Sequence, residues 1–98
     1  MTLAKNMQVL QTPTFKKTVK KLHANQKKNL DKAIKVLMKE PLLGELKKGD
    51  LSFLRVHKFK MAKQLTLLGY SYKEETVILE LIALASHENF YREVKRLY

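Results

Sequence analysis

The sequence predicts an α+β domain in which helices lie on one face of a mainly antiparallel sheet. Three observations lead there. Two segments between residues 13 and 40 carry apolar residues at helical spacing. Three later runs, "LSFLRVHKFKM", "QLTLLGYSY" and "TVILELIALA", have the composition and alternation of strands. Between the two groups lies "EPLLGELKKGD", a loop-rich stretch with Gly44, Gly49 and Asp50 as turn residues.

Taken in order, Met7 to Thr12, "MQVLQT", alternates in part and is ended by Pro13, as a short first strand would be. Thr12 followed by Pro13 also suits a helix start, the first as cap and the second in the first turn. Phe15, Val19 and Leu22 then share one side of a helix, with Lys16, Lys17, Lys20 and Lys21 on its outer face. Asn25 is the expected cap of a second helix with the apolar stripe Leu30, Ala33, Ile34 and Leu37, stopped by Pro41. So short a connection makes the pair an antiparallel hairpin.

In the first of the later runs, Phe53, Arg55, His57 and Phe59 alternate with Leu54, Val56, Lys58 and Lys60, the pattern of a strand with one accessible face. The second run turns at "YKEE". The third is almost continuously apolar, which suits a central strand covered on both sides. A terminal helix from about Asn89 to Leu97, docked by Phe90, Val94 and Leu97, closes the chain.

Ninety-eight residues, of which 45% are hydrophobic, make one domain, 1–98, with one modest core. The 20 Lys+Arg against 9 Asp+Glu give a net charge of +11. Residues 1–48 hold 12 basic and 3 acidic residues, residues 49–98 hold 8 and 6, so the excess sits in the first half. Such a field attracts nucleic acid, and an acidic protein partner would answer it equally; a solvated lysine-rich helix face is the bland alternative. No cysteine is present, which excludes disulfides, thiol nucleophiles and zinc–thiolate sites and suits a reducing cytoplasm. "MTLAKNMQVLQT" has no continuous apolar core of a leader, and the longest apolar stretch, Val77 to Ala85, is interrupted by Glu80. It falls far short of the roughly 20 residues that span a bilayer, so a cytoplasmic protein without membrane contact is expected.

The chain contains no Gly-rich phosphate loop, no Walker sequence and no HExxH, and His23, His57 and His87 lack metal-ligand spacing. Neither a metal nor another cofactor is expected. In "RVHKFKMAKQ", Lys58 and Lys60 project to one side of an extended strand about 7 Å apart, close to the spacing of adjacent phosphates. Arg55 and His57 share the other side. Strand lysines also serve as solvated edge protection. His87 follows the most apolar strand, on a turn where Ser86 or Asn89 can cap the last helix. It is either a surface histidine beside a cap or a proton-transfer group, since an imidazole changes charge near neutrality. Tyr91 can stack on a base or simply cover the sheet. Together these residues are what metal-free RNA cleavage requires: cations for the phosphate and a histidine to protonate the leaving 5′-oxygen.

The order of elements, the pair "RVHKFKMAKQLTLLGYSY" and above all "ALASHENFYREVKRLY" resemble the RelE/ParE superfamily of toxins from bacterial type II toxin–antitoxin systems. The resemblance implies a small basic domain with a helical hairpin on a curved sheet, and a cognate acidic antitoxin as partner. It implies one of two activities: ribosome-dependent cleavage of mRNA in the RelE-like branch, or inhibition of DNA gyrase in the ParE-like branch. A third possibility, of another class, is a toxin-like binding module without activity. For the RelE-like branch the matching residues are His87, Lys58, Lys60 and Tyr91 as catalytic groups, with Arg55 and Lys63 on phosphate; Gln64, beside Lys63, and Arg92 and Lys95, which with Arg96 form the solvated or RNA-facing side of the last helix, complete the candidates for RNA contact. "SHENFY" fits members that use a histidine near the C-terminus. One departure is that "KQLTLLGYSY" lacks the arginine RelE-like enzymes often place in that strand; a lysine lacks its bidentate fork.

Overall fold

The structure, a computed structural model, describes residues 7–97. Its elements are β1 (Gln8–Gln11), α1 (Pro13–Lys20), α2 (Ala24–Lys39), β2 (Glu45–Leu46), β3 (Arg55–Met61), β4 (Gln64–Lys73), β5 (Ile78–Ser86) and α3 (Phe90–Leu97). The five strands form one sheet in the order β1-β5-β4-β3-β2. β1 runs parallel to β5 and the remaining pairs are antiparallel, giving the α+β arrangement expected.

Thr12 joins β1 to α1. Its backbone N–H donates to the carbonyl of Leu81 (3.0 Å), its hydroxyl donates to that of Ile82 (2.8 Å), and the same oxygen accepts from the N–H of Phe15 (3.0 Å). The cap of α1 is thereby tied to β5 at a bulge, where Gly69 pairs with Ala83 but Tyr70 with Leu81. The extra residue, Ile82, lets two consecutive side chains, Ile82 and Ala83, join the same core cluster.

Helices cover both faces of the sheet, not one. Adjacent β4 residues show this: Leu68 packs with Phe15, Leu30 and Leu37 of α1 and α2, whereas Leu67 packs with Phe90 and Val94 of α3. The strong apolar stripe of the last helix needs a sheet face of its own, because the first face is already taken. β5 is consequently covered on both sides, as its continuous apolarity implied. At Gly69 a Cβ would come within 2.6 Å of the Phe90 ring, so this glycine is what lets α3 seat closely.

Three local expectations are corrected. α2 starts at Ala24 rather than after Asn25, because the Gln26 side chain accepts from the N–H of His23 (2.8 Å) and fixes the start there. Strand β3 begins at Arg55; Gly49–Leu51 form a 3₁₀ turn that reverses the chain before it. Within the segment read as loop, Glu45 and Leu46 pair with Val56 and Arg55 as a short edge strand. The bond from the Lys47 N–H to the Leu54 carbonyl (2.9 Å) extends that pairing.

Candidate functional site

α3 seats on Leu54, Val56, Leu67, Ile82 and Ala83 and stops short of the far end of that face. The uncovered end is built from β3, β4 and the exit of β5. Lys58 and Lys60 follow Val56 at every second position onto this face and are exposed, their expected common side. Lys58 pairs with Leu67, which pairs with Ala85; Lys60 pairs with Leu65. The last β4–β5 pair is Thr66 with Ser86, so His87 leaves the sheet next to Leu65. Two strand spacings, about 10 Å, then separate the Lys60 and His87 backbones, a gap their side chains and one phosphate can fill.

A shallow cleft of about 290 Å³ lies here, lined by Gln64, Leu65, Ser86, His87 and Glu88. The turn that carries the histidine is held by Asn89. Its N–H donates to the Ser86 carbonyl (3.1 Å), its Nδ2 donates to Ser86 Oγ (3.1 Å), and its Oδ1 accepts from Arg92 Nη2. Asn89 stands before the first residue of α3 and its carbonyl accepts from the Glu93 N–H (3.0 Å). His87 and Glu88 stay exposed on a turn whose ends are tied.

The other candidate residues lie elsewhere. Arg55 faces the opposite side of the sheet, where its Nη1 donates to the carbonyls of Leu42 (3.1 Å) and Gly44 (2.9 Å) and braces the loop after α2. His57 shares that face, stacked on Phe59 with ring centroids 5.9 Å apart, and burial lowers its pKa. Tyr91 turns toward β2: its ring meets Phe90 edge-on at 5.1 Å, and Lys47 Nζ sits 5.4 Å from the ring centroid. The Lys47 ammonium is held above its usual value, first by the Tyr91 hydroxyl and less by Glu45 at 3.4 Å. Lys63 occupies the tight turn between β3 and β4, next to Gln64. Lys95 borders a separate cleft with Lys48, Asp50 and Leu51. Among the described residues no three His, Cys, Asp or Glu are grouped as metal ligands.

Two cleft residues escape a reading by residue type, Leu65 and Glu88. Leu65 is an exposed apolar side chain (39%) between Lys60 and the histidine, and only strand register brings it there. Glu88 was visible as the residue after His87, but its place in the cleft depends on the turn.

The sequence profile of ParE-like toxins of type II bacterial toxin–antitoxin systems matches residues 9–95. The chain belongs to that family. The toxin also shares its fold with solved E. coli structures. A doubly substituted E. coli toxin RelE in the free state matches with a TM-score of 0.69 and 21% identity, over 95% of this chain and 99% of that one. The intact E. coli RelBE toxin–antitoxin complex matches with a TM-score of 0.67 and 18% identity, over 82% of this chain and 95% of that one. A substituted RelE in complex with an antitoxin RelBc peptide matches at 0.66 and 18%, over 91% and 94%. No curated protein sequence matches the toxin. Among its described residues no helix is long and apolar enough to cross a membrane.

Proposed function

We propose that the toxin inhibits translation by cutting mRNA on the ribosome, and that a cognate acidic antitoxin silences it. The observation that carries this reading is the convergence of Lys58, Lys60 and His87 on the one end of a sheet face that α3 leaves open. The chemistry needs no cofactor. The 2′-oxygen attacks the adjacent phosphorus, the P–O5′ bond breaks, and the products are a 2′,3′-cyclic phosphate and a 5′-hydroxyl. Lys58 and Lys60 stabilise the charge on the phosphoryl oxygens as point charges, and His87 gives its proton to the leaving 5′-oxygen. The 2′-hydroxyl proton passes to the Glu88 carboxylate, which lines the same cleft. Gln64 lines the cleft on its β4 side, with Lys63 in the turn before it, and both suit contacts to neighbouring nucleotides. The ribosome supplies the alignment of attacking oxygen, phosphorus and leaving oxygen that so open a site does not provide by itself.

Arg55 braces a loop on the opposite face and Tyr91 is engaged with Lys47, so this reading rests on neither. Arg92 and Lys95 lie on the exposed side of α3 and suit the flanking backbone.

A second reading, gyrase inhibition without catalysis, is favoured by the family's ParE-like description and by the absence of an arginine from β4. Expression of wild type, His87→Ala and Lys58→Ala, with primer extension on translated mRNA and a gyrase supercoiling assay, separates the two. Cleavage by wild type that drops at least about 100-fold in His87→Ala supports the nuclease. Growth arrest that survives both substitutions, with supercoiling blocked, transfers the function to gyrase.

A further inference from the structure

The outer sides of α1 and α2 carry much of the positive charge, on the sheet face opposite the cleft. Lys28, Lys32, Lys35 and Lys39 recur at i, i+4, i+7 and i+11, a stripe about 60° wide and about 16 Å long. It runs opposite the buried Leu30, Ala33 and Leu37. On α1 and its C-cap, Lys16, Lys17, Lys20 and Lys21 likewise lie away from buried Phe15. α1 packs on β5 and α2 on β3, so the lysine rows point the same way, about two strand spacings or 10 Å apart. All eight are exposed, and among the described residues none forms an ion pair. Asp31 is the single acid on the two helices. Lysines three and four residues apart repel one another along a helix, and a polyanion lying across them removes that repulsion.

The chemistry of this face selects among polyanions. Single-stranded nucleic acid is held by stacking on exposed rings, and the one aromatic residue of these helices, Phe15, is buried. An acidic peptide needs apolar anchors, but the exposed Val36 and Met38 stand at opposite margins of the α2 stripe, with the lysine row and Asp31 between them. Two rows of point charges on a rigid support suit a duplex backbone, where register is set by phosphates and no base is read.

We propose that the outer face of α1 and α2 is a second polyanion site, separate from the His87 cleft, that takes the phosphate backbone of double-helical RNA. The choice of RNA rests on the target proposed above; the surface itself does not depend on the cleavage step. The toxin is then basic on both sides of its sheet and can be held by structured RNA on one side while the other works on a strand.

The test is fluorescence anisotropy of full-length toxin with a labelled RNA duplex across a salt series. It is run for wild type, for a variant with Lys28, Lys32, Lys35 and Lys39 all replaced by glutamine, and for His87→Ala. Wild type should bind the duplex more tightly than single-stranded RNA of the same length. The fourfold glutamine variant, shown folded by circular dichroism, should lose at least tenfold in affinity and about 3 to 4 units of the log–log salt slope. His87→Ala should keep the wild-type affinity, so the failure of cleavage and the failure of this site are separate results. Equal binding of a DNA duplex supports a backbone site. An unchanged salt slope in the glutamine variant, a DNA duplex preferred tenfold, or substitutions that abolish binding of polyglutamate alone would overturn the proposal.

Discussion

Tyr70 does two things with one hydroxyl in the core beneath α1 and α2. It donates to the Pro41 carbonyl (2.8 Å) and accepts from the Gly44 N–H (2.8 Å), and burial holds the phenol above its usual pKa, so the proton stays on. A Cβ at Gly44 would lie 2.7 Å from that oxygen, which is why a glycine stands there. Tyr70→Phe leaves a backbone donor and acceptor unpaired in the loop that Arg55 also braces. A loss of about 2 kcal/mol is expected, read as a lower urea midpoint at unchanged slope. His57 makes stability depend on pH. Burial lowers its pKa from the ordinary 6.5, so above that value both folded and unfolded chains are neutral there. As pH falls below it, the unfolded chain binds a proton that the folded one resists, and stability declines. His57→Phe keeps a ring against Phe59 and should flatten that decline when thermal melts at about pH 7.5 and 5.5 are compared.

At the scale of elements, the β3–β4 hairpin is the most instructive. Met61 pairs with Gln64, so Ala62 and Lys63 alone make the turn, and both have positive φ, 50° and 71°. Two such residues define a type I′ turn, normally written Asn-Gly, and its absence from the sequence is why no tight turn was legible between these strands. The chain tolerates the strain because Asn29 of α2 accepts from the Ala62 N–H (2.8 Å) and latches the turn to the helix. Ala62→Asn with Lys63→Gly should raise stability by about 1–2 kcal/mol in urea denaturation, without moving the register. A similar tie sets the start of α2, where Gln26 reaches back to His23, three residues before it in sequence. Asn25 looked the better cap by residue type, but the deciding bond was made by the side chain beside it.

For the whole molecule, a net charge of +11 on 98 residues means mutual repulsion across both faces. The ion pairs among the described residues, Lys47 with Glu45 at 3.4 Å and Arg96 with Glu93 at 3.8 Å, lie on the surface and relieve little of it. Raising sodium chloride from about 50 mM to about 500 mM should therefore raise the melting temperature by several degrees, as screening shortens to about 4 Å. A fall in melting temperature with salt would show instead that attractive pairs dominate. The same charge is divided by the sheet: the α1 and α2 lysines lie on one side, Lys58, Lys60 and His87 on the other.

What the sequence determined by itself were features carried by neighbours along the chain. The 3.6-residue spacing of Phe15, Val19 and Leu22 and the alternation of Val56, Lys58 and Lys60 follow from local geometry and were legible, as was the seating of α3 by Phe90 and Val94. What only the tertiary structure decided were matters of register and sidedness. Which face α3 would take, the two-residue strand at Glu45, the bulge at Ile82 and the closeness of Leu65 to His87 all depend on hydrogen bonds between residues far apart in sequence. A side chain's type records what it can do, but the strand pairing determines what stands next to it. That is why Leu65, more than twenty residues from His87 along the chain, stands beside it, whereas the opposite sides taken by Arg55 and Lys58 follow from strand alternation alone.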